Sequence, residues 1–139
     1  MKYLHTMVRV SDLESSLDFY CNKLGLEDLR RYDNEPAHIA LVFLAALGDE
    51  TGQVELIYNW DPEDHAEGRD FSHPAYAVDD IYALCQRLFY HGVTIARPPR
   101  DDRIAFFRSP DNISNELLHQ GEPISPAEPW LSMENSGHW

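Results

Sequence analysis

The chain has 139 residues, 43% of them hydrophobic, with 24 acidic side chains against 11 basic and a formal net charge of −13. That length supports one domain or two small halves with a core, while the acidic excess argues against a nucleic-acid partner, whose phosphates are held by Lys and Arg. No run approaches the length of a membrane span, the N-terminus lacks a signal-peptide pattern, and Cys21 and Cys85 form no CxxC motif, so they read as reduced thiols of a cytoplasmic protein.

The first predicted element is a strand over residues 4–10. Its alternation puts His5, Met7 and Arg9 on one face and Thr6, Val8 and Val10 on the other. The second face reads as packing against a helix; the first carries two nitrogen-bearing side chains. An amphipathic helix, LESSLDFYCNKL, follows, with Ser11 or Asp12 as N-cap and Gly25 where a C-cap is expected. Three strands come next, LEDLRRYD, HIALVFLAA and QVELIYNW, separated by the turn signals DNEP and GDETG. The polar segment 61–72 reads as a linker.

The same order then repeats. His5 precedes Val10, Asp12, Leu13 and Leu17 at offsets that His73 shares with Val78, Asp80, Ile81 and Cys85. A second helix, IYALCQRLFYHG, starts at Asp79 or Asp80 and closes at Gly92. The strands VTIARP, RIAFFRS and ISNELLHQ follow, with turns at PPRDD and SPDN. Each half is therefore strand, helix, strand, strand, strand: residues 1–60 and 73–120. Residues 121–139, rich in proline and polar residues, read as an irregular tail that docks through Trp130 and Trp139.

The last strand of each half holds a glutamate in an apolar setting, Glu55 in VELIYNW and Glu116 in NELLHQ. An ionised carboxylate on a half-buried strand is costly unless paired or bound to a metal. Each half also begins with a histidine, which gives two equivalent pairs, His5 with Glu55 and His73 with Glu116. Singly, such residues are ordinarily solvated or structural. Twice in register with an internal repeat, they suit a borderline divalent ion such as Zn, Ni, Co or Fe better than Ca or Mg. Arg9 and Asn59 share the ligand faces of their strands and offer donors that suit a carboxylate. His119 falls on the face opposite Glu116 and reads as structural.

These residues resemble glyoxalase I (lactoylglutathione lyase) of the vicinal oxygen chelate superfamily. The resemblance runs from HTMVRVSDLESSLDFYCNKLGL through LVFLA and VELIYNWD, and returns at SHPAYAVDDIYALC, AFFRSPDN and NELL. It implies an α+β fold of two βαβββ modules forming a cupped mixed sheet, and a homodimer whose sites lie at the subunit interface. It places His5, Glu55, His73 and Glu116 at the metal positions, with Glu116 also the first candidate for the catalytic base and Glu55 the second catalytic candidate, and Arg9 and Asn59 at the glutamyl end of glutathione. It implies nickel as the first metal and zinc as the second, with cobalt also used by members of this length. The implied substrate is the hemithioacetal of glutathione and a 2-oxoaldehyde such as methylglyoxal.

The chain departs from the family pattern in places. Ser72 stands for the usual glycine before the second-module histidine, and Pro74 follows it. The DPDG turn is SPDN, in which Asn112 tolerates the left-handed conformation. The loop that holds the glycyl carboxylate is RPPRDDR, where Arg100 or Arg103 would substitute despite Asp101 and Asp102. Rival expectations are a thiol transferase, a ring-cleaving dioxygenase, and a metal-free drug-binding protein. The first two typically use two His and one Glu, and the last needs no quartet.

Overall fold

The computed structural model describes residues 5–61 and 73–137. The chain divides into two compact units, Met1–Glu67 and Gly68–Trp139. Most of the expected linker, together with Ser72 and Trp139, lies outside the described residues.

In the first unit, β1 (His5–Val10) leads into α1 (Leu13–Leu17), then β2 (Leu26–Asn34), β3 (Ile39–Ala46) and β4 (Asp49–Asn59). The sheet order is β1-β4-β3-β2, with β1 parallel to β4 and the other neighbours antiparallel. Asp12 is the N-cap, its carboxylate accepting from the Ser15 amide at 2.7 Å. Gly25 closes the helical segment at φ 101°, a conformation in which a Cβ is strained.

The expected single helix is two pieces. α1 passes into a π-helical segment, Asp18–Leu24. The adjacent aromatics Phe19 and Tyr20 are both fully buried and meet edge to face at 4.8 Å. A regular α-turn separates neighbouring side chains by 100°; the wider turn lets both rings face the sheet. The turn expected at GDETG comes earlier, at Leu47–Gly48, and Asp49 already belongs to β4. Gly48 supplies the φ of 78° that the tight connection uses.

The second unit repeats the plan with β5 (Ala75–Val78), α2 (Ile81–Tyr90), β6 (Ile95–Arg97), β7 (Ile104–Arg108) and β8 (Ser114–His119). Its sheet order, β5-β8-β7-β6, matches the first position for position. Asp80 caps α2 through the Ala83 amide at 2.9 Å. Asn112 takes the left-handed conformation at φ 60° in the turn between β7 and β8. Both sheets are mixed and helices are few, so the class is α+β.

One face of each sheet is core. In the first unit Val8, Val10, Val42, Leu44 and Leu56 are buried there with Phe19 and Tyr20; in the second, Ala105, Phe107 and Leu117 are buried with Ile81, Cys85 and Leu88. Burial pushes the Cys85 thiol up to about 12 and also raises Cys21, so neither is a ready nucleophile. His119 is buried on this face, and a Cβ on Gly121 would lie 2.6 Å from its Nε2, so a side chain at that position would force the buried ring to shift. Among the described residues no helix is long and apolar enough to cross a membrane.

Among the described residues the segment after β8 has neither helix nor strand, yet it is tied down. Trp130 is 2% exposed and meets the Phe89 ring edge to face. The Ser136 amide and hydroxyl donate to the carbonyls of Ala96 and Ile95.

Candidate metal centre

The core face of each sheet consumes one set of alternating side chains, so the other set is left open. On that open face the His5 Nε2 lies 2.9 Å from Glu55 Oε2. In the second unit His73 Nε2 lies 3.2 Å from Glu116 Oε2. The registers explain both contacts. Met7 pairs with Glu55 and Ala75 with Glu116, so each histidine stands two residues before the partner of its glutamate and reaches it diagonally on the same face. The parallel pairing of the first and last strand in each unit thus brings together residues 50 and 43 positions apart in sequence.

The four side chains remain partly accessible, at 36% and 12% for His5 and Glu55 and 28% and 15% for His73 and Glu116. They are neither core nor freely solvated. Two donors bonded to one cation at 2.0–2.2 Å and a right angle would stand about 3 Å apart, close to both separations. The imidazole and carboxylate types also suit a borderline divalent metal. The residues present therefore fit such an ion. Among the described residues, no three His, Cys, Asp or Glu gather into a metal-holding group. Each unit supplies two of the four expected ligands.

Arg9 and Asn59 come together as well, the guanidinium donating to Asn59 Oδ1 at 3.2 Å. The open face of the first unit thus carries a donor cluster four residues along each strand from His5 and Glu55. Arg100 and Arg103 are placed differently. Arg100 donates to the Met133 carbonyl and to Asn135 Oδ1, both at 2.6 Å, and Arg103 lies 3.7 Å from Asp102. Asp101 is engaged too. Partial burial opposes its ionisation, but the Arg97 guanidinium and the Arg103 and Ile104 amides outweigh this and hold the carboxyl below its ordinary range.

Sequence reading missed Phe43 and Phe106. Phe43 pairs with Glu55, and Phe106 with Glu116. Each ring also meets the local histidine edge to face, at 5.7 Å for His5 and 5.1 Å for His73. A signal was present in LVFLA and AFFRS, since both third strands of the repeat carry phenylalanine.

Comparison with known proteins decides the family. Residues 2–117 match the model of the Glyoxalase/Bleomycin resistance protein/Dioxygenase superfamily. The chain belongs to this superfamily. It is 39% identical over 127 residues to a lactoylglutathione lyase of Neisseria meningitidis, covering 86% of this chain and 91% of that protein. The structure of the trypanothione-dependent glyoxalase I of Leishmania major is similar at 34% identity and a TM-score of 0.79, covering 86% of this chain and 87% of that one. Glyoxalase I of Zea mays is similar at 31% identity and a TM-score of 0.80, covering 87% of this chain and 45% of the longer maize chain.

Proposed function

We infer that this chain is a lactoylglutathione lyase that isomerises the hemithioacetal of glutathione and methylglyoxal to S-D-lactoylglutathione. The observation that carries this reading is the duplicated His/Glu pair, formed at the same register in both units of a chain 39% identical to a lactoylglutathione lyase. His5, Glu55, His73 and Glu116 would hold one divalent cation, nickel first and zinc second, between two copies of the chain in a homodimer. Completion by a second copy is proposed because each unit has only two of the four ligands. The acidic, thiol-containing chain is assigned to the cytoplasm.

A bound divalent cation supplies Lewis-acid stabilisation for charge developing on the two adjacent substrate oxygens. The chain's own residues do the rest. Arg9 and Asn59 receive the glutamyl carboxylate and orient the thiol carrier. Glu116 takes the proton from the carbon that bears sulfur, and the released electron pair shifts toward the neighbouring carbonyl. The proton then returns to that neighbouring carbon, while the hydroxyl proton of the sulfur-bearing carbon passes to the neighbouring oxygen, leaving the thioester carbonyl on the first carbon and the lactoyl hydroxyl on the second. Atoms and electrons balance without a redox partner, as an isomerisation requires. General-base assistance of this kind contributes about 10²–10⁴ in rate.

The test is Glu116→Gln, loaded with nickel and checked for metal content, assayed by thioester absorbance with methylglyoxal and glutathione. We expect kcat to fall by about 10²–10⁴. Near-normal turnover with metal retained would remove Glu116 from the base role.

A further inference from the structure

Each ligand glutamate is one end of a longer row. In the first sheet the row runs Glu55, Phe43, Arg30 across β4, β3 and β2. In the second it runs Glu116, Phe106, Arg97 across β8, β7 and β6. The arginines reach their places by the same device. A register shift falls between Asp28 and Arg30 in β2, and another between Ile95 and Arg97 in β6. A bulge at that point turns the arginine onto the row, and bulges commonly re-aim side chains beside functional sites.

The two phenylalanines are braced in different ways. Phe43 lies on the half-open face, and the Arg30 guanidinium sits 3.8 Å from its ring centroid. Among the described residues the Arg30 side chain makes no hydrogen bond or ion pair. Phe106 is only 7% exposed and is held by packing. Its arginine is used elsewhere, since Arg97 donates to the Ile104 carbonyl and to Asp101 Oδ2.

We propose that Phe43 and Phe106 are positioning residues for the metal-binding imidazoles, and that Arg30 acts on His5 through Phe43. The rings of His5 and Phe43 are inclined at 76°, and those of His73 and Phe106 at 81°. Edge-to-face contact of this kind is attractive and directional. The ring torsion of histidine is otherwise broad. A metal-bound imidazole is usually fixed by a hydrogen bond from its second nitrogen. Among the described residues nothing accepts such a bond from His5 Nδ1. The aromatic wall supplies the restraint instead at His5, and Phe106 stands against His73 in the same edge-to-face way. Simple core filling does not account for Phe43, which lies on the open face. The inference rests on the metal-site reading given above.

The experiment uses the full-length protein stripped of metal and titrated with cobalt(II) against a chromophoric chelator. The visible absorption of the cobalt-loaded protein and its Tm are recorded in parallel. We expect Phe43→Leu and Phe106→Leu each to weaken cobalt affinity by about tenfold, the low end for groups that orient a ligand, and to alter the cobalt absorption band. Phe43→Tyr should restore both. Arg30→Met, which leaves the core untouched, should shift the band in the same direction as Phe43→Leu, whereas Arg97→Met should leave it in place. A lowered Tm with unchanged cobalt affinity and spectrum in the Phe43 and Arg30 variants would overturn the proposal and leave the metal reading intact. Failure of the wild-type chain to take up cobalt, nickel or zinc would overturn both.

Discussion

Trp130→Ala tests whether the segment after β8 is an integral layer of the second unit. Trp130 is 2% exposed and stands edge to face against Phe89, at the end of α2, with ring centroids 6.1 Å apart. Truncating a buried aromatic to alanine costs about 3–5 kcal/mol. The segment is irregular and can partly follow the lost ring inward, so the lower end, about 3 kcal/mol, is expected. For a chain of this length that corresponds to a Tm lower by roughly 10 °C. Phe89 is itself 48% exposed, so Phe89→Ala should cost less, and the double variant should reveal a coupling of about 0.5–1.5 kcal/mol. Thermal unfolding followed by circular dichroism, with urea titration for the free energies, measures all four proteins. A Tm for Trp130→Ala within about 2 °C of wild type would refute the docking, because a ring that deeply packed cannot be removed so cheaply.

Arg9→Met should raise KM by roughly 10- to 100-fold with kcat little changed, as loss of a charge-assisted contact made equally in ground and transition states predicts; a fall confined to kcat would contradict the assignment to the carrier carboxylate. Asp101 has a depressed folded-state pKa, so its stabilisation is fully present above the unfolded value of about 3.9 and is lost as pH falls through the lower folded value. Asp101→Asn should therefore lower Tm at pH 7 while its gap from wild type closes in acid, and a gap that stayed constant down to pH ~2 would contradict the linkage. Cys85 should resist iodoacetamide at pH 8 until the protein is unfolded, because its thiol is buried and shifted to about 12; alkylation of the native protein at the rate of a free thiol, read by mass spectrometry, would contradict its burial.

The repeat was legible because it is written in local signals. Asp12 and Asp80 announce helix starts, Gly25 and Gly92 their ends, and the period of two marks every strand core, since each depends on residues a few positions apart. The duplicated His and Glu could be paired on paper because equivalent positions in a repeated unit occupy equivalent places. Local pattern could not show that Phe43 faces Glu55, or that Arg30 stacks on Phe43. Those contacts depend on the register of three strands and on a one-residue bulge, which alternation alone does not encode. The same holds for Arg100. Its place in the chain suggested a substrate contact, while the fold turned its donors to Met133 and Asn135, more than thirty residues away. Composition and spacing thus determined which elements form and which face of each is polar. Tertiary pairing alone decided what each polar side chain touches, because hydrogen-bond registers and the burial of Phe19 and Tyr20 are properties of the assembled sheet and helix rather than of either segment.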